Sequence, residues 1–257
     1  MTILIGGNFA SGAARTGWAY QSAETGLGNR LRLVKPHGYD VFLAATTTQR
    51  DYADSGSYRA ELSAPSPLAQ WGKTFTAAWR IIVPPNWQTY SGEAATTVLQ
   101  MHDVNVGAVS RRPSFAGEIQ DGVLSLKLSH DDATGGDTLA SIPVSPGQEV
   151  AVALNVRWAD GTNAPLADGF AHVYFNGVLA GSRTGRNTWA GNSTTEPNPP
   201  YMKVGVYVPS TAPWWDGKSR TMWARGAILG DANESQTALD AILMHQTVSG
   251  ASQMPLK

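Results

Sequence analysis

The sequence predicts a single all-β domain, a sandwich or jelly roll of antiparallel sheets with one short helix near the C-terminus. Three observations carry this. Apolar and polar residues alternate in run after run, turn dipeptides separate the runs, and helical periodicity is almost absent before residue 230. At 257 residues the chain has room for one large β domain, and no internal repeat or low-complexity linker divides 1–257.

The strands follow from the two-residue period of an extended chain, which sends successive side chains to opposite faces. "FTAAWRIIV" collects Phe75, Ala77, Trp79, Ile81 and Val83 on one side. "VLSLKL" collects Leu124, Leu126 and Leu128, and "VAVALNVRW" collects Val150, Val152, Leu154, Val156 and Trp158. These stripes are the expected core. Asp121-Gly122, Asp160-Gly161 and Asn176-Gly177 punctuate the runs, and the last, inside "VYFNGVLAG", predicts a hairpin. Long loops are expected at 103–118, 181–200 and 209–219, and loops of that length often carry function. Residues 232–248, "ANESQTALDAILMHQTV", predict the helix, with Asn233 or Ser235 as its cap and Leu239, Ile242 and Leu243 as its apolar stripe.

Composition narrows the function. Only 15% of residues are charged and the net charge is −1, so there is no general basic field for nucleic acid. Attraction to an anionic ligand must come from local Arg and Lys placement. Nine Trp and eight Tyr can furnish a sugar-binding surface. The absence of cysteine excludes disulfides and thiolate metal sites. No apolar stretch is long enough for a helical membrane span. The N-terminal "MTILIGGNFASGAARTG" lacks the basic start and apolar run of a signal peptide, so a signal already removed from this numbering, export by another route or a phage-borne origin is expected. A phosphate-binding Gly loop, a nucleophile elbow and a His-x-x-x-His metal pair are all missing.

Three runs place polar chemistry behind an apolar face. "SYRAELS" puts Arg59, Glu61 and Ser63 opposite Tyr58, Ala60 and Leu62. "VLQMHD" puts Gln100 and His102 opposite Leu99 and Met101. "YMKVGVY" puts Tyr201, Lys203 and Tyr207 opposite Met202, Val204 and Val206, with Gly205 leaving a gap for a ligand to approach the backbone. Each run alone reads most simply as a half-solvated strand. Together they supply a guanidinium, a carboxamide, an imidazole, an ammonium and phenols. That set suits a sugar carboxylate plus a proton-transfer pair. It lacks the paired acids of glycoside hydrolysis, since Glu118 and Asp121 fall on opposite faces of a strand.

In that order, "YRAELS", "VLQMHD" and "YMKVGVY" resemble the motif strands of the jelly-roll polysaccharide lyases, over residues 55–230. The resemblance implies a concanavalin-like sandwich of two antiparallel sheets. Alginate lyases of this fold carry a second Arg where Ser63 stands and a terminal Gln where Pro209 stands. "WRIIVPPNW", "DGVLSLKL" and "HVYFNGVLAGS" are similar instead to the glucuronan-lyase and heparin-lyase-I-like branch. The exact polyuronide stays open.

The resemblance implies β-elimination at a uronic acid. His102 is then the base and Tyr207 the acid, or Tyr207 serves as both if the elimination is syn. Arg59 and Gln100 neutralise and orient the carboxylate. Lys203 contacts a neighbouring carboxylate or holds Tyr207, Tyr201 stacks or hydrogen-bonds, and Glu61 orients Arg59 or Lys203. Arg111, Arg112, Trp214 and Trp215 are candidates to line the cleft from the loops. An anionic polysaccharide is the expected partner, without nucleic acid or membrane, acted on by a monomer outside the cell or in the periplasm. No cofactor or catalytic metal is expected, though related folds can hold a structural calcium. A non-catalytic carbohydrate-binding module, or a structural protein of a phage or surface assembly, would share the fold without needing His102 and Tyr207 on one face.

Overall fold

The computed structural model describes residues 3–8, 18–22, 31–34, 42–48, 58–65, 68–89, 94–103, 112–130, 136–189, 199–208 and 219–231. The predicted C-terminal helix lies outside them, as do Arg111, Trp214 and Trp215. The described residues build two antiparallel sheets. In the eight-stranded sheet the order is β13 (Val178–Thr184), β12 (Phe170–Phe175), β11 (Glu149–Arg157), β6 (Thr74–Ile82), β15 (Ser219–Asp231), β4 (Phe42–Thr48) and β3 (Leu31–Val34), with β1 (Ile3–Asn8) also on β15. In the seven-stranded sheet it is β10 (Asp137–Pro143), β9 (Val123–Leu128), β8 (Phe115–Gln120), β7 (Thr96–His102), β14 (Tyr201–Val208), β5 (Tyr58–Ser63) and β2 (Ala19–Ser22). Strands far apart in sequence lie side by side. β14 sits between β7 and β5, which brings the three polar-faced strands together at the centre of one sheet.

The predicted stripes make the core between the sheets. Phe75, Ala77, Trp79, Ile81 and Val83 face Leu124, Leu126 and Leu128, all buried with the stripe of β11 and with Trp158. The Trp79 ring stacks on Phe115 with centroids 6.0 Å apart. A buried indole N–H needs an acceptor, and Trp79 Nε1 reaches across the core to donate to the Lys203 carbonyl at 3.1 Å. One residue thus ties the eight-stranded sheet to the backbone of β14.

The hairpin at Asn176-Gly177 forms as predicted. Both residues have positive φ, 50° and 82°, as a type I′ turn demands, and Asp121-Gly122 repeats the device between β8 and β9. Two expected loops are shorter than predicted. Residues 115–118 belong to β8, where Phe115 is fully buried. Gly181 to Thr184 complete β13, an edge strand too exposed to carry an apolar stripe. Beyond it, the Asn187 side chain orders the chain by donating to the carbonyls of Arg157 and Phe170 and accepting from Ala159 N–H.

Candidate active site

The three polar faces converge on the outward side of the seven-stranded sheet. On β14, Met202, Val204 and Val206 are wholly buried in the core, while Tyr201 and Tyr207 are half-buried on the other side. β5 and β7 repeat the division. Register sets the cross-strand neighbours: Lys203 lies opposite Gln100 on one side and Ser63 on the other, Tyr201 opposite His102, and Tyr207 opposite both Arg59 and Thr97.

Between Val204 and Tyr207 the pairing of β14 with β7 slips by a bulge, which re-aims the side chains beyond it. Gly205 sits in this bulge with φ +151°. A Cβ there would lie 2.2 Å from the Ala60 carbonyl oxygen and 2.6 Å from Glu61 Cα. The glycine is therefore required by the approach of β5 and by its own backbone angle. This corrects the sequence reading, which took it as a gap left for a ligand.

The site has two levels. The lower holds Glu61, Gln100 and Lys203, each 2% exposed. Gln100 Nε2 donates to Glu61 Oε1, and Lys203 Nζ stands 3.8 Å from Glu61 Oε2. Oε2 itself receives no hydrogen bond among the described residues. The Lys203 ammonium also lies 5.4 Å from the Tyr201 ring centroid. Burial lowers the Lys203 pKa, the Glu61 carboxylate works against that, and Arg59 adds to the lowering. Gln100 was expected to orient a substrate carboxylate, Lys203 to contact one or to hold Tyr207, and Glu61 to orient Arg59 or Lys203. All three are buried together, and the charge of Lys203 is turned toward Glu61 and Tyr201.

The upper level holds the half-buried Arg59, His102, Tyr201 and Tyr207. The Arg59 guanidinium lies 5.2 Å from the Tyr207 ring centroid, within cation–π range. The rings of His102 and Tyr201 are tilted at 46° with centroids 5.9 Å apart. His102 Nδ1 is 2.7 Å from the Asp103 carbonyl oxygen. A carbonyl only accepts, so in the neutral ring Nδ1 carries the hydrogen and Nε2 the lone pair. Burial pushes the His102 pKa down to about 4, helped by the positive charges of Lys203 and Arg59 and opposed by the bond to Asp103. The imidazole is thus neutral at ordinary pH.

Three residues at the His102 end escaped the sequence reading. The buried Asp103 carboxylate accepts from Ser114 Oγ at 2.7 Å and from Thr188 Oγ1 at 3.1 Å, and the two hydroxyls are 2.6 Å apart. Only Asp103, adjacent to the histidine in "QMHD", offered a signal. Ser114 and Thr188 lie in stretches with no periodic pattern. Alongside, Trp189 Nε1 donates to the Arg112 carbonyl at 2.8 Å, which places the exposed Arg112 near this end of the face. Among the described residues, no cluster of three His, Asp or Glu side chains is placed to hold a metal ion.

The arrangement can be set beside known proteins. The polysaccharide lyase family profile matches residues 11–226. The chain belongs to this family. No curated protein matches it. Among solved structures, an endo-β-1,4-glucuronan lyase from the fungus Trichoderma reesei superposes with a TM-score of 0.64 at 19% identity, over 90% of this chain and 96% of that one. A family 7 alginate lyase gives 0.56 at 18% identity, over 86% and 96%. A botulinum neurotoxin serotype D binding domain gives 0.53 at 10% identity, over 95% of this chain and 52% of that one. At these identities the likeness is one of fold, a jelly-roll sandwich, and the lyase family membership makes the protein a polysaccharide lyase.

Proposed function

We propose that this lyase cleaves a 4-linked, uronic-acid-containing polysaccharide by β-elimination, leaving an unsaturated uronate at the new end. One observation carries the reading. Arg59, a neutral His102 and Tyr207 share one accessible face, above a buried level that spends its own charges internally. The names of the glucuronan and alginate lyases that share the fold support an anionic polymer as substrate. Ser63, in place of the second arginine of the alginate lyases, favours glucuronan or a related polyuronide.

The chemistry assigns each accessible group a task. Arg59 binds the uronate carboxylate and offsets its charge. Without that, removal of the C5 proton would build a second negative charge on the same unit. Fixed donors aimed at developing charge contribute about 3–4 kcal/mol each in other enzymes. His102 Nε2 takes the C5 proton. The electron pair forms the C4–C5 double bond as the C4–O bond breaks, and the Tyr207 hydroxyl gives its proton to the departing oxygen. Transfer of the proton from imidazolium to phenolate through solvent resets the site. His102 comes from β7 and Tyr207 from β14, and the proposed reaction uses a separate base and acid that reach one sugar unit from neighbouring strands. Tyr201 lines the sugar beside His102. A polymeric substrate suits a site of action outside the cytoplasm.

The test is incubation with glucuronan, alginate and mixed polyuronides, following the ultraviolet absorbance of the new alkene, with carboxyl-reduced polymers as controls. Alkene from the acidic polymers alone is expected. Binding without alkene on any of them would make the face a binding surface.

A further inference from the structure

The buried Asp103 carboxylate has no task in the elimination, yet it is held by two hydroxyls from separate parts of the chain. Ser114 comes from the segment leading into β8, and Thr188 from the segment after β13. Thr188 and Ser114 are wholly buried, Asp103 nearly so. Asp103 faces two ways: its side chain is gripped by the hydroxyls, and its main-chain carbonyl accepts from His102 Nδ1. We infer that Asp103, Ser114 and Thr188 form a tautomer lock, positioning residues that keep the Asp103 carbonyl aimed at Nδ1 so that Nε2 is the nitrogen offered to the substrate. The inference rests on the reading of His102 as the base.

The need for a lock follows from imidazole chemistry. A neutral ring has one donor and one acceptor nitrogen, and the hydrogen bond made by one decides the role of the other. If the carbonyl swings away, the proton is free to move to Nε2, and the nitrogen facing the sugar can no longer accept one. Around the ring stand Tyr201 and Lys203 of β14 and Arg59 of β5. The two cations have no lone pair to offer Nδ1, and the Tyr201 ring is tilted at 46° to the imidazole with centroids 5.9 Å apart. On β8, Glu118 is paired with Lys127 at 2.7 Å. An Asp side chain clamped at both oxygens has little freedom to rotate, and its own carbonyl is held with it.

The test compares Thr188→Val, which keeps the shape and removes the hydroxyl, with Thr188→Ser, which keeps the hydroxyl. Ser114→Ala is a second, independent removal. Nitrogen-15 spectra of the imidazole, assigned by loss of the signal in His102→Gln, read the tautomer without any turnover. In the wild type His102 should be protonated at Nδ1. In Thr188→Val and Ser114→Ala a substantial Nε2-protonated population should appear, with kcat down about tenfold, KM unchanged, and an acid limb that does not rise. Thr188→Ser should restore both. A hydroxyl that merely packs the chain would act differently: loosening would let water in and move the acid limb up toward 6.5, the ordinary imidazole value, with the tautomer intact. That result, or a wild-type His102 protonated at Nε2, overturns the lock. Absence of alkene formation in the wild type would instead defeat the proposed reaction, and the spectra would still decide the lock.

Discussion

Glu61 and Glu149 occupy matching situations on the two sheets and are treated in opposite ways. Each is a carboxylate on the outward face of a central strand, beside cations from neighbouring strands. Glu149 on β11 accepts from Arg80 and from Arg225 through Nε and Nη2, at 3.0 and 3.1 Å for the latter, and its side chain is 24% exposed. Every oxygen is satisfied and water remains at hand. Glu61 on β5 is 2% exposed, with one amide donor and one ammonium at 3.8 Å. Surface ion pairs contribute about 0–1 kcal/mol. A buried pair costs several kcal/mol per ion in desolvation, which its attraction repays only with good geometry and further hydrogen bonds. That arrangement is poor for stability, and under the proposed reaction it sets the charge beside His102, whose pKa Lys203 helps to lower.

Removing one partner of the buried pair should have the largest effect. Glu61→Ala leaves Lys203 buried beside Arg59 and should cost about 3–5 kcal/mol of unfolding free energy, read by urea titration, together with most of the activity. A loss below 1 kcal/mol would place Glu61 in the same class as Glu149. Next comes Tyr207→Phe, which removes one hydroxyl from the accessible level. Alkene formation should fall by about 10²-fold or more, while stability stays within about 0.5 kcal/mol and oligouronide binding persists. Wild-type turnover in this variant would remove Tyr207 as the proton donor.

The third prediction concerns pH. His102 titrates at about 4 in the folded protein, so the acid limb of kcat/KM should lie near 4, well below the ordinary imidazole value of about 6.5. A bound uronate offsets the charge of Arg59, so the limb of kcat should sit higher than that of kcat/KM. Stability carries the same signature. A histidine whose folded pKa is depressed contributes fully above 6.5, and the contribution is lost as the pH falls through 4. His102→Gln should flatten stability across that window, and an unchanged slope would show that the imidazole is not held neutral. The smallest effect is reserved for the other carboxylate. Glu149→Gln should shift stability by less than about 1 kcal/mol and leave alkene formation unaltered. A large loss of activity there would couple the two sheets in a way this comparison does not allow.

The sequence was most legible where one face of a strand is apolar throughout. Leu124, Leu126 and Leu128 alternate without exception, and all three are wholly buried. The polar partners of such stripes were readable too, and Arg59, His102 and Tyr207 share a face because their own strands have apolar backs. β8 and β13 were harder. β8 sets Gly117 where Leu99 packs against it, so one core position has no side chain to announce it, and β13 lies at an exposed edge.

Alternation within each strand, enforced by the pleat, determined which residues are core and which are polar. It also determined that Gln100 and His102 point the same way, as do Tyr201, Lys203 and Tyr207. Depth was decided by the tertiary structure. Glu61, Gln100 and Lys203 look as available in the sequence as Arg59 and Tyr207, but pairing of β14 between β7 and β5 packs them against one another and beneath the rest. Likewise Asp103 meets Ser114 and Thr188 only because segments 11 and 85 residues away in the chain end at the same corner. Local pattern sets direction along one strand, whereas burial and charge depend on neighbours that only long-range pairing supplies.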